Sequence, residues 1–346
     1  MNMGIIAASR LRGVILLTSL FGSLSGANKW LGGVLAPNGK IYSIPLNSTQ
    51  VLEIDPSNNT TSLFGSVSGT NKWAGGVLAP NGKIYSIPFI NTKILEIDPS
   101  NNTTSLFGNL SGFAKWYGGV LAPNGKIYAI PFNSNQVLEI DPSNNTTSLF
   151  GNLRAREKWR GGVLAPNGKI YAIPSSSTQV LEIDPVNQTT SLFGSLSGIK
   201  KWAGGVLAPN GKIYSIPFNS TQVLEIDPSN NTTSLFGSVS GADKFYGGVL
   251  APNGKIYGIP GNSTQILEID PVNQTTSLFG SLSGNDKWAG GVLAPNGKIY
   301  SIPLNSTQVL EISQINIPDV IGSDANIPAS LSNLASSNYN KFYNKL

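Results

Sequence analysis

Seven glutamates recur at a fixed interval: Glu53, Glu96, Glu139, Glu182, Glu225, Glu268 and Glu311, each 43 residues from the next. Paired carboxylates can do acid–base work, so these are the first residues to test for chemistry. Each sits in the middle of "VLEI" or "ILEI". A symmetric hairpin across "LNSTQ" would set Glu53 opposite Tyr42 and Asp55 opposite Lys40. Repeated cross-strand pairs of that kind are ordinary sheet chemistry. The oxygen-rich "DPSNNT" segments suggest calcium, but two copies, Asp184 to Thr189 and Asp270 to Thr275, read "DPVNQT". Calcium takes about six to eight oxygens, usually with several carboxylates, so one aspartate per segment reads as a turn. The 346-residue chain has no histidine and no cysteine. That removes the commonest general base, histidine-dependent triads and thiolate metal sites. The expectation is a non-enzymatic protein with no catalytic residue, no metal and no cofactor.

The elements that carry these residues follow from the repeat. "GGVLAPNGKIY" returns unchanged from Gly32, Gly75, Gly118, Gly161, Gly204, Gly247 and Gly290. A period near forty residues signals stacked or radial units. Within one unit "GGVLA", "KIYSIP", "VLEID" and "TTSLFG" read as four short antiparallel strands separated by turn clusters. Asn38-Gly39 predicts a two-residue hairpin with positive φ at both residues. Such a sheet is apolar on both faces and needs neighbours on both, which a ring of sheets supplies. "TSLFG" at Thr18 to Gly22 lies one period before Thr61 to Gly65, and the last unit loses its fourth strand after Ile312. The two irregularities are complementary. They predict an all-β, seven-bladed β-propeller over residues 14–312, closed by an N-terminal strand, which leaves no exposed sheet edge. Residues 1–13 form an extension. Residues 313–346 form a tail with an amphipathic helix, its apolar face built from Ile327, Leu331, Leu334, Phe342 and Leu346.

"GGVLAPNGKIYSIPFNSTQVLEIDPSNNTTSLFG" resembles the NHL-type blade and its relatives among the gluconolactonase-like propellers, over Thr18 to Ile312. The resemblance implies the fold; propellers host enzymes, lectins and protein-binding platforms alike. In the gluconolactonase-like members Glu, Asn and Asp side chains hold a metal at the channel mouth, and the innermost strand here carries none of them. Virginiamycin-lyase-like propellers use a histidine, which this chain lacks. A degenerate lactonase- or lyase-like enzyme is the least favoured reading.

Variation between units is confined to two loops, which emerge on the same face of an antiparallel blade. Function commonly lives on loops carried by a rigid scaffold. Candidate ligand-binding residues include the aromatic ring Trp30, Trp73, Trp116, Trp159, Trp202, Phe245 and Trp288, whose other, slightly favoured reading is a wedge between blades as core. The residues that follow or precede it add Leu31, Ala74, Phe113, Tyr117, Arg154, Arg156, Arg160, Lys200 and Tyr246. The variable loop between the second and third strands runs through Leu46, Phe89, Phe132, Ser175, Phe218, Gly261 and Leu304. Stacked aromatics suit a glycan or a planar ligand. The cluster Arg154, Arg156, Lys158, Arg160, Lys200 and Lys201 gives blades four and five an anion-attracting patch. The expected role is a binding platform for a protein or glycan, with a structural subunit joined through residues 313–346 as the alternative. Net charge is only +5 and charged residues make up 12%, so nucleic acid is not the expected partner. No apolar run approaches the roughly 18 residues of a membrane span. Arg10 and Arg12 before an apolar run imitate a secretory signal, but that run is the front of a repeat strand. A cytoplasmic location is favoured, with a secreted or surface one as alternative. In the first case sequons at Asn47, Asn219 and Asn305 are turn residues.

Overall fold

Among the described residues, twenty-eight strands build seven four-stranded sheets. The computed structural model describes residues 14–316, so the expected helix and the rest of the tail lie outside the described residues. β1 (Val14–Phe21) comes first, followed by β2 (Trp30–Leu35), β3 (Ile41–Pro45), β4 (Val51–Asp55) and β5 (Thr60–Phe64). β2 to β5 form the first blade, innermost to outermost, and five more blades repeat this order. The seventh consists of Trp288–Leu293, Ile299–Pro303 and Val309–Asn316, completed on its outside by β1. Thr18 pairs with Ile312 there just as Thr61 pairs with Ile54 in the first blade. The last strand runs four residues past the expected boundary at Ile312, because Ser313–Asn316 stay paired with Val14–Leu17.

Sheets pack face to face. One cluster joins Val34, Tyr42, Ile44 and Val51 of the first blade to Trp73, Ile84, Leu95 and Ile97 of the second, and six equivalent clusters complete the ring. Each buried aliphatic side chain contributes about 1.5–3 kcal/mol before chain entropy is subtracted. The outermost strands are largely exposed, with Thr, Ser and Leu alternating.

The inner hairpin differs from expectation at its tip. Gly39 N–H donates to Ala36 C=O, Ala36 N–H donates to Lys40 C=O, and Gly39 alone has positive φ, at +79°. Pro37 at the second position favours a type I turn, and glycine then supplies the left-handed residue of a three-residue loop. The glycine pair is steric. A Cβ on Gly32 would lie 3.2 Å from Gly75 Cα in the next blade, and one on Gly33 would lie 2.6 Å from Ile302 Cδ1 in the preceding blade.

Candidate functional site

Register shifts by one residue in every innermost strand. Trp30 pairs with Pro45 but Gly33 pairs with Ser43, so Leu31 and Gly32 together oppose Ile44. A bulge re-aims the side chains on either side of it. Here the tryptophan turns into the inter-blade core, and the residue after it lines the mouth of the central channel.

The aromatic ring is therefore not a binding surface. Trp30, Trp73, Trp116, Trp159, Trp202, Phe245 and Trp288 are all at most 2% exposed. The Trp30 indole N–H donates to Gln50 C=O at 2.8 Å, and the other tryptophans repeat this bond. The lysine before each ring residue is buried too, and forms no ion pair among the described residues. Lys72 Nζ donates to the C=O groups of Leu46 (3.0 Å), Ser48 (2.8 Å) and Gly69 (2.8 Å), which clasps the first blade to the second. Burial lowers Lys29, Lys72, Lys115, Lys158, Lys201, Lys244 and Lys287 to about 8. The predicted basic patch is accordingly dismantled. Lys158 and Lys201 are internal, Arg160 occupies the channel mouth, Lys200 is half-buried, and only Arg154 and Arg156 reach fully into solvent.

The opposite face carries the glutamates. Glu53 accepts bonds from Lys40 Nζ (2.8 Å), Tyr42 Oη (3.1 Å), Ser62 Oγ (3.2 Å) and, from the turn before the outermost strand of the next blade, Asn102 Nδ2 (2.8 Å). Burial alone would push its carboxyl up; the bonds from Lys40, Asn102 and Tyr42 outweigh that and hold it below the usual range. Burial raises Tyr42 to about 12. Asn102 closes a "DPSNN" turn at positive φ, so that turn is also an inter-blade clasp. In two blades Gln188 and Gln274 make the same contact. Glu53, Glu96, Glu139, Glu182 and Glu225 have all four bonds committed, and Glu311 and Glu268 keep the Lys and Tyr bonds, which makes the set structural.

The channel mouth collects the variable residues. In four blades a large residue is matched by a small one, whereas the third blade carries two large ones, Tyr117 and Phe132. Ala74 accompanies Phe89, Arg160 accompanies Ser175, Ala203 accompanies Phe218, and Tyr246 accompanies Gly261. A Cβ on Gly261 would collide with the Tyr246 ring. Divergence here is compensated packing. On one side Leu46, Ala289 and Leu304 form an aliphatic cluster with Leu31 and Tyr246 against it. On the other, Phe89, Tyr117 and Phe132 lie with ring centroids 5.8–6.0 Å apart, and Phe218 meets Tyr246 edge-on at 4.8 Å. Arg160 bridges the two aromatic groups, its guanidinium carbon 5.3, 5.4 and 5.0 Å from the ring centroids of Tyr117, Phe132 and Phe218. Burial pushes the Tyr117 and Tyr246 hydroxyls up, and Tyr246 donates to Asp286 at 3.1 Å. An open pocket of about 270 Å³ remains, with Leu31, Phe89, Tyr117, Arg160, Lys200, Asp243 and Tyr246 on its wall.

Around this mouth the entry loops stand out. Phe113 and Ile199 are each 72% exposed, and Arg156 lies between them at the equivalent position of the intervening blade. The same loops hold non-glycine residues at positive φ: Ala114 (47°), Ala155 (91°), Glu157 (52°) and Lys200 (49°). Other blades use Asn, Asp or Gly at those places, residues that tolerate the conformation. Asn47, Asn219 and Asn305 accept backbone N–H bonds from Asn71, Asp243 and Asn28 through their side chains, so these sequon amides anchor neighbouring loops. Among the described residues no group of three or more His, Cys, Asp or Glu is placed to hold a metal, and no helix is long and apolar enough to cross a membrane.

The fold is a seven-bladed β-propeller. Solved structures share it widely. A streptogramin B lyase aligns with a TM-score of 0.76 at 12% identity, over 87% of this chain and 98% of that one. A catalytically inactive virginiamycin B lyase from Staphylococcus aureus, with quinupristin, aligns at 0.75 and 11%, over 87% and 100%. The extracellular domain of a putative hybrid two component system from B. thetaiotaomicron aligns at 0.65 and 10%, over 85% of this chain and 42% of that one. No protein-family model and no curated protein matches the sequence. Identity at this level shows the fold alone. The extracellular setting of the last neighbour runs against the cytoplasmic expectation without carrying a compartment across.

Proposed function

We propose that the protein is a non-enzymatic binding platform that takes a protein partner on the loop face, through the entry loops of blades three to five. The observation that carries this is the trio Phe113, Arg156 and Ile199, presented on consecutive blades with both apolar side chains 72% exposed. Exposed aromatic and arginine residues are the usual anchors of protein interfaces. Burial of every tryptophan takes away the stacking platform a glycan would use, which favours protein. Arg154, Arg156 and Lys200 on those loops favour an acidic partner surface. Backbone strain in the same loops fits segments kept for function, since such strain collects at functional sites.

Affinity capture with the whole protein tests this. A partner held by the wild type should be lost at least tenfold with Phe113→Ser/Ile199→Ser and kept with Val186→Ser/Val272→Ser, which removes exposed apolar groups from the opposite face. Equal retention by both variants would sink the assignment. The lyase neighbours set the enzymatic alternative. Incubation with quinupristin tests it, and turnover would overturn the non-enzymatic reading.

A further inference from the structure

We infer that the channel mouth is a binding site for a single carboxylate carried on a compact apolar body, with Arg160 as its anchor. Several independent features converge on it. Arg160 Nε is out of reach of solvent and has no hydrogen-bond partner. The ion pairs of the described residues are all Lys–Glu or Lys–Asp, so the guanidinium has no carboxylate of its own. Its second-strand companion Ser175 is also buried with an unpartnered hydroxyl. An unmet buried polar group costs stability, and the equivalent places in the other blades show that Leu, Ala or Tyr fills the space without it. Replacing the cation would relieve a cost the fold does not require.

The three rings around Arg160 attract its charge and hold its orientation. They offer no acceptor in the plane of the guanidinium, where its N–H groups point, and a carboxylate fits that fork bidentately. The rest of the wall sets the remainder of the ligand. Leu31, Phe89 and Tyr246 are apolar, and the volume of about 270 Å³ admits a ring-sized body. Lys200 adds positive charge, whereas Asp243 stands on the wall two blades from Arg160. That aspartate disfavours a second carboxylate at the far end of the ligand. The site is reached by a small molecule without any contact to Phe113 or Ile199, so it stands apart from the protein-binding assignment.

Benzoate is the probe and benzyl alcohol the uncharged control. Nε is closed to solvent without a ligand, so the guanidinium must turn toward the mouth to meet one; titration of ¹⁵N-labelled protein with sodium benzoate should then shift the Arg160 Nε–H signal saturably, as that group gains its first acceptor. Benzyl alcohol should leave it in place. Arg160→Gln should weaken benzoate binding at least tenfold, followed by the signals of Tyr117 and Tyr246. Arg160→Lys keeps the charge but loses the fork and should also weaken it severalfold; it serves if the glutamine variant does not fold. A non-saturating response, equal affinity in wild type and variants, or equal binding of benzyl alcohol would make Arg160 a packing element of the mouth and overturn the proposal.

Discussion

Buried lysines set the behaviour of single residues in this ring. Each of seven ammonium groups is hydrogen-bonded to carbonyl oxygens and to no carboxylate, and burial lowers each to about 8 from 10.5. Between those values the unfolded chain binds more protons than the folded one, so stability rises with pH across about 8 to 10. Above pH 10 the sign reverses. Tyr42 and its copies, raised to about 12 or beyond, keep protons that the unfolded chain releases. Melting temperature measured from pH 7 to 11 should therefore climb and then fall, with its maximum near 10. A flat profile from 7.5 to 9.5 would mean the carbonyl cages hold the ammonium charge against desolvation. Below the carboxylate range stability should also fall, because Glu53 and its lowered copies must be protonated. A second residue-scale test concerns Ser86, whose buried hydroxyl has no partner. The chain itself places Ala129 and Ala172 at the equivalent position. Ser86→Ala should be neutral or stabilising by up to about 1 kcal/mol in chemical denaturation; a loss of that size would show that the hydroxyl has an acceptor.

At the scale of the element, the strands were readable because apolar runs alternate with Pro, Gly and Asn clusters at a constant period. The tryptophans were not. Trp30 and Leu31 are adjacent, and which of them faces the core depends on a bulge that only the pairing with Ile44 and Pro45 reveals. The ring was thus left open between core and binding surface where the structure buries it, and the true mouth residues include Phe89, Phe132 and Phe218. Their signal was present as loop variation, but compensation with Ala74 and Ala203, and the packing of Phe132 on Tyr117, appear only across space. The lysine cages were equally illegible, since a lysine is exposed by default and its acceptors belong to the preceding blade. The entry loop of the fourth blade offers a direct test of strain. Ala155 has a φ of 91° where six other blades place glycine. Ala155→Gly should stabilise the protein by about 1 kcal/mol, because glycine adopts that conformation without a Cβ clash. No gain would mean the loop had already relaxed elsewhere. If the strained loop presents Arg156 to a partner, the same substitution should also loosen partner binding.

For the whole molecule, the decisive feature is closure by strands from opposite parts of the sequence. β1 pairs along Val309–Asn316 from Val14↔Asn316 to Phe21↔Val309. Six blades close locally, by a turn between their third and fourth strands; the seventh closes across the whole chain. Local closure costs little loop entropy, whereas this one ties nearly three hundred residues and gains in proportion to the logarithm of loop length. A rearranged chain separates the two contributions. It starts at Ser23, and after Ile312 it continues through an Asp-Pro-Ser-Asn-Asn-Thr turn into the sequence of residues 18–22. The seventh blade then has the same register as the first, since Thr18↔Ile312 matches Thr61↔Ile54. Its seven sheets and lysine cages remain, although Leu16 and the pairs of Val14–Leu17 with Ser313–Asn316 are gone. Packing of Trp30, Ile41 and Leu52 against Val292, Tyr300 and Ile302, with clasps such as Lys29 to the Leu304 and Ser306 C=O groups, then holds the seam with no strand pair to tie it. Far-ultraviolet circular dichroism should match the natural chain. Unfolding in denaturant should begin at lower concentration and proceed at least tenfold faster, because opening the seam no longer requires breaking a strand pair. Equal unfolding rates would place the stability of the ring in blade packing alone and leave the shared blade as a matter of connectivity.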